Sequence, residues 1–189
     1  MSQTRILALV GSLRAGSINR QLAEAAAQTA PEGVEVDIYD GLGNVPFYNE
    51  DIDVPGQVPA PAPAQALRDA VAAADALVLF VPEYNGTIPA VLKNAIDWAS
   101  RPYGAGSIKD KPVAVISASI SQNAAKWAHG DTVKAVSVAG GTVVESAHLH
   151  FGTIGQRFGE AHPREDAEAL TQLAAAVTEL VAARESVNA

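Results

Sequence analysis

Residues 4–19 read TRILALVGSLRAGSIN, and this stretch decides the fold. It opens as a continuous apolar run to Val10, breaks at Gly11, turns small and hydroxyl-rich, and then enters a helical pattern. That order predicts a buried strand, a tight loop and a helix N-terminus. The loop offers backbone N–H groups, the hydroxyls of Ser12 and Ser17, the Asn19 amide and the Arg14 guanidinium, and it holds no carboxylate. Many donors gathered at the positive end of a helix dipole suit a phosphate.

Outward from this stretch, strands and helices alternate. A helix over 17–29 carries Ile18, Leu22 and Ala26 on one face, and Val34, Val36 and Ile38 alternate with charged residues in a second strand that ends at Asp40. Residues 41–63 form a long loop with the segment PFYNEDID and then a proline-rich, extended tract. Loops of this length in a compact domain are usually functional, although the proline tract itself reads as a passive connection. A helix over 64–74 leads into a second buried strand, 76–81, which stops at Pro82. The next loop enters a helix that Thr87 can cap, with Pro89 near its first turn and Leu92, Ala95, Ile96 and Ala99 at helical spacing. Trp98 fits either the core or an interface between copies.

A third buried run, 113–116, is followed by the polar loop SASISQN, a weakly patterned helix over 123–138 that His129-Gly130 interrupts, a last strand over 142–147, and a long amphipathic helix from Pro163 onward. Strand–helix–strand links require a parallel sheet with helices on both faces. With 189 residues, the chain is expected to be a single flavodoxin-like domain, residues 1–189. Its architecture is an α/β three-layer sandwich with a five-stranded parallel sheet in the order 2-1-3-4-5. Ligands in such sheets bind at the carboxyl ends of the strands, beside strands one and three.

Composition narrows the function. The net charge of −8 leaves no basic stripe for nucleic acid or for an anionic membrane surface. There is no cysteine, which excludes disulfides, thiolate nucleophiles and cysteine-based metal sites and suits a reducing cytoplasm. The N-terminal apolar run is too short for a signal peptide, and no run approaches membrane-spanning length.

Three kinds of phosphate loop must be separated. Gly11 and Gly16 have Walker spacing, but Ser17-Ile18 follows where Lys-Ser/Thr is required, so no lysine reaches a γ-phosphate. Leu13 fills the second glycine position of a dinucleotide loop and blocks close approach of a pyrophosphate. Asp40 reads as a turn residue. A hydroxyl-and-arginine loop for a terminal monophosphate remains, and flavin mononucleotide (FMN) is the common ligand of that kind in this fold.

The segments GSLRAGSINR, PFYNED and PEYNGTIPAVLKNAIDWASRP occur in order with matching spacing, and they resemble the NADPH-dependent FMN reductase family, which includes quinone, chromate and azo reductases. The likeness covers roughly the first hundred residues. It implies that Ser12, Arg14, Ser17, Ile18 and Asn19 hold the FMN phosphate, and that Pro82, Glu83, Tyr84, Asn85 and Gly86 wrap the flavin ring. Ser117 or Ser119 is expected to reach the flavin rim. The family's third loop often carries a Gly-Gly pair, and residues 117–123 have none.

By this resemblance NADPH gives hydride to the flavin, and a quinone, free flavin, azo dye or metal oxyanion then takes the electrons. No side-chain nucleophile is required, and alternating-substrate kinetics are expected. A homodimer or homotetramer is implied. A flavodoxin-type electron carrier and an FMN-binding redox sensor without turnover stand as alternatives. His148 and His150 could form half of a metal site, but without a third ligand they read as surface or barely buried histidines, and no metal is expected. Glu50 and Asp51 read as loop residues that cap or solvate, not as an acid–base pair.

Overall fold

The computed structural model describes residues 3–187. The run TRILALV forms β1 (Thr4–Val10), buried from Ile6 onward with no polar alternation, as a strand covered on both faces must be. It is followed by α1 (Ile18–Gln28), β2 (Val34–Ile38), α2 (Ala62–Ala73), β3 (Ala76–Val81), α3 (Ala90–Ala99) and β4 (Pro112–Ala118). Then come α4 (Lys126–Ala139), β5 (Thr142–Val143), β6 (Leu149–Phe151), the short α5 (Ile154–Arg157) and α6 (Ala167–Val187). The sheet is parallel, in the order β2-β1-β3-β4-β5, with β6 also paired to β4. Val10 lies beside Phe80, and Val81 beside Ser117, so the loops leaving β1, β3 and β4 emerge on one edge.

Side chains alternate across β1. Ile6, Ala8 and Val10 face a layer built from α1 and α6, with Leu22, Leu173 and Leu180. Leu7 and Leu9 face the layer of α2, α3 and α4, with Leu67, Leu92 and Val136.

The edge beside β4 differs from the expected single strand over 142–147. It is split: β5 pairs with Pro112 and Val113, and β6 with residues 116–118. Between them, a 3₁₀ turn, Glu145–Ala147, buries Ala147 completely, while the Ser146 hydroxyl donates to Glu179 of α6 at 2.7 Å. The expected interruption at His129-Gly130 is absent. Gly130 sits in open space on the exposed side of a continuous α4, so it costs only helix propensity, about 1 kcal/mol. The opposite side of α4 buries Ala128, Thr132 and Val136.

The long connection, residues 41–63, is fastened to its neighbours. The Trp98 indole N–H donates to the Pro46 carbonyl at 2.7 Å, and the Asn94 amide donates to the same carbonyl at 3.0 Å while accepting the Tyr48 N–H at 2.9 Å. Arg68 grips Asp53 with two parallel bonds of 2.8 and 2.6 Å, and this hydrogen bonding holds the Asp53 carboxyl below the ordinary carboxylate range. Trp98 is fully buried within its own chain, under the Arg68 guanidinium. Glu50 and Asp51 are exposed in a 3₁₀ turn that Asn49 caps.

Candidate functional site

The loop after β1 passes close under the loop after β3. Gly11 makes this possible: a methyl group there would fall 2.6 Å from Leu92 Cδ1, 2.7 Å from Pro89 Cγ and 2.9 Å from Pro82 Cδ. Beyond it, Ser12, Arg14 and Gly16 line a cleft of about 480 Å³ that reaches Tyr39, Asp40 and His162. The acids at its far wall are engaged, Asp40 with Arg20 and Glu24 with both Arg20 and His162. Arg14 is exposed, with one weak bond to the Ala15 carbonyl at 3.4 Å.

Ser17 occupies the cap position of α1 in extended conformation, is almost fully buried, and makes no side-chain cap bond. The first turn of α1, starting at Ile18, therefore points backbone donors at the loop without a capping side chain. Asn19 is only 4% exposed. Its amide nitrogen donates to the Ala118 carbonyl at the end of β4, 3.4 Å away, and its Oδ1 is buried with no partner.

The loop after β3 is a two-residue hairpin. Asn85 and Gly86 both have positive φ, +54° and +76°, the type I′ turn that an Asn-Gly pair favours. Tyr84 and Thr87 close it by exchanging backbone hydrogen bonds. Tyr84 is half exposed, and its hydroxyl lies 3.3 Å from Ser12 Oγ, joining the two loops. Pro82 is buried behind them. Thr87 does not cap α3, which begins behind Pro89. Its hydroxyl donates instead to Asp131 of α4 at 2.5 Å.

Glu83 has a role that spacing did not reveal. Its carboxylate accepts the backbone N–H groups of Trp127 and Ala128 at 3.2 and 3.1 Å, capping α4 from 44 residues away. The N-terminus of α4 needs this partner because the residues before it, Ala124 and Ala125, are both left-handed and offer no capping side chain. Ser117, a residue expected at a ligand rim, lies at the end of β4. It is fully buried, and its hydroxyl donates to the Ala124 carbonyl at 2.8 Å and meets His150 Nδ1 at 2.8 Å. It shapes the third loop from behind.

His148 and His150 meet a third histidine, His129 of α4. His129 Nε2 lies 3.1 Å from His148 Nδ1, and the His129 and His150 rings are 4.2 Å apart. Burial, and then the neighbouring imidazoles, push the His129 pKa down to about 3, and burial lowers those of His148 and His150. Among the described residues no group of histidines and carboxylates is arranged to hold a metal ion.

A doubly wound parallel sheet with an uncapped, donor-rich loop after β1 defines a mononucleotide-binding flavodoxin-like protein. The family profile for NADPH-dependent FMN reductases matches residues 4–156, and the chain belongs to that family. It is similar to a 2-hydroxy-1,4-benzoquinone reductase from a Burkholderia species, with 44% identity over 116 residues that cover 61% of each chain. It is also similar to a quinone reductase of Pseudomonas putida, with 43% identity over 120 residues, 63% of this chain and 62% of that one. The matched region thus spans about three fifths of the length of these curated relatives. In three dimensions the chain resembles the flavoenzyme NAD(P)H:(acceptor) oxidoreductase FerB of Paracoccus denitrificans, with a TM-score of 0.80 at 28% identity over 95% of this chain and 98% of that one.

Proposed function

We propose that this protein is an FMN-dependent NAD(P)H oxidoreductase that passes electrons from NADPH to a small-molecule acceptor such as a quinone, free flavin, azo compound or metal oxyanion. The observation that carries the reading is the donor-rich start of α1, which no side chain caps. Ser17 leaves the helix end uncapped, Arg14 makes one weak contact, and the buried Asn19 Oδ1 has no donor. These groups fit FMN. The Ser12 hydroxyl, the Arg14 guanidinium and the backbone donors from Ser17 through Asn19 would hold the phosphate. Tyr84 supplies a flat face, and the hairpin from Pro82 through Gly86 a rigid rest for a ring. Bound FMN supplies hydride and electron transfer. The chain itself fixes orientation and offers backbone dipoles toward negative charge. Neither acid–base nor nucleophilic side chains are assigned, and Ser117 acts only through loop shape.

A cysteine-free chain suits a reducing cytoplasm, and the reading includes a homodimer or homotetramer, to be checked by light scattering. Among the described residues no helix is long and apolar enough to cross a membrane. The deciding measurement is an absorbance spectrum of the FMN-loaded protein before and after anaerobic NADPH. The flavin band is expected to bleach directly. A band that bleaches only when a separate reductase is added identifies an electron carrier, and failure to retain FMN on dialysis removes the reading.

A further inference from the structure

Exposed apolar side chains gather on the edge where the site lies. Leu13 follows β1, Tyr84 follows β3, and Ile120 and Trp127 follow β4. Such exposure on one functional edge marks a surface that something covers. Trp127 is the largest of these, with 65% of its surface exposed. It is also the most firmly placed. Its backbone N–H is held by Glu83, a residue of the hairpin loop itself. Its ring rests on the hairpin turn, with Cε3 about 3.5 Å from where a side chain on Gly86 would begin. The hairpin therefore has two ends. Tyr84 touches Ser12 of the phosphate loop at one, and Trp127 leans on Gly86 at the other. A ligand anchored by its phosphate at Ser12 and lying along the hairpin runs toward the indole.

We infer that Trp127 is the acceptor-binding side chain of this site: its indole forms an aromatic wall against which a flat, apolar electron acceptor stacks. The inference rests on the oxidoreductase reading above and adds a residue and a selectivity to it. Flat aromatic acceptors gain stacking and apolar burial there, and small hydrophilic acceptors gain neither. Lys126 and Asp131 are exposed on the first turns of α4 and the Glu83 carboxylate lies against the Trp127 and Ala128 N–H groups, so the surround of the wall carries charges of both signs.

The test separates the two half-reactions in the FMN-loaded protein. Enzyme reduced with NADPH is mixed with 1,4-naphthoquinone or with ferricyanide, in wild type, Trp127→Ala, Trp127→Leu and Trp127→Phe. The concentration of naphthoquinone needed for half-maximal reoxidation is expected to rise about tenfold in Trp127→Ala and to return to within about threefold in Trp127→Phe. Trp127→Leu, which keeps apolar bulk without a π-face, should fall between them. Ferricyanide reoxidation, which needs no stacking surface, should stay within about twofold in all variants. An unchanged naphthoquinone dependence, or an equal loss with both acceptors, overturns the assignment while leaving the oxidoreductase reading intact. A wild-type protein that binds no FMN, or that NADPH does not reduce, removes the parent reading instead.

Discussion

Gly11 carries more of the site than any charged residue in it. It sits where β1 gives way to the phosphate loop, and its backbone N–H donates to the Phe80 carbonyl at 2.9 Å, tying the ends of β1 and β3 together. The space a methyl group needs there is already filled by Pro82, Pro89 and Leu92. Leu92 can change rotamer, but the two proline rings cannot, so the loops themselves must part. Gly11→Ala is expected to cost about 1–3 kcal/mol, the usual range for overpacking. At about 2–4 °C per kcal/mol for a chain of this size, the melting midpoint falls by roughly 2–12 °C. Because the strained contact lies between the two ligand loops, FMN affinity should weaken by more than the stability loss alone accounts for. A variant that melts lower but binds FMN as tightly as wild type would show that the loops move as one body.

At the scale of elements, α4 is the joint between the hairpin and the sheet edge. Glu83 caps its start, Gly140 at φ +95° ends it, and His129 packs its middle against His148 and His150. His129 is 7% exposed and its Nδ1 has no partner, so a proton placed there has no charge to meet. Lys126 opposes protonation of His150, and only Glu145 favours that of His148. With the folded pKa of His129 near 3 and the unfolded value near 6.5, the unfolded chain takes up a proton that the native chain refuses. This contribution to stability is complete above about pH 6.5 and is lost as pH falls. Unfolding free energy from urea titrations should therefore drop between pH 6.5 and 5.0, with His129 contributing a slope approaching about 1.4 kcal/mol per pH unit and His148 and His150, also lowered by burial, adding to it. His129→Gln should flatten that slope, and an equal slope in the variant would assign the proton elsewhere. The helix itself was readable, as a weak pattern over 123–138, but none of its fastenings was. β1, β3 and β4 were, because continuous apolar runs bounded by Gly or Pro have one interpretation in an alternating pattern. Glu83 finds its partner 44 residues on, and three histidines meet only because α4 packs beside a split edge. The left-handed pair that glycines would adopt without strain is held by Ala124 and Ala125, at about 1–2 kcal/mol each, and an alanine in that conformation leaves no compositional trace.

Over the whole molecule, the site draws on both sides of the sheet. The loop after β1 continues into α1, which packs in the layer with α6, whereas the hairpin continues into α3 and is fastened to α4, in the opposite layer. A ligand held by both loops bridges the two cores, so its binding free energy is felt by the entire fold. The overall charge of −8 repels an anion at long range. On the reading proposed above, retention of FMN comes from short-range donors at the start of α1, whose hydrogen bonds to a charged phosphate are strong. Saturation at one hundred times the dissociation constant adds about 2.7 kcal/mol, which corresponds to a rise of roughly 5–11 °C in the melting midpoint. Riboflavin has the same ring and ribityl chain but no phosphate. At equal concentration it is expected to give less than a third of the FMN shift, and Arg14→Ala should bring the FMN shift down toward the riboflavin value without altering the riboflavin shift. Scanning calorimetry of wild type and variant with each ligand gives all four numbers. Equal shifts for FMN and riboflavin in wild type would mean that the ring alone is gripped, and that the uncapped end of α1 serves something other than a phosphate ester.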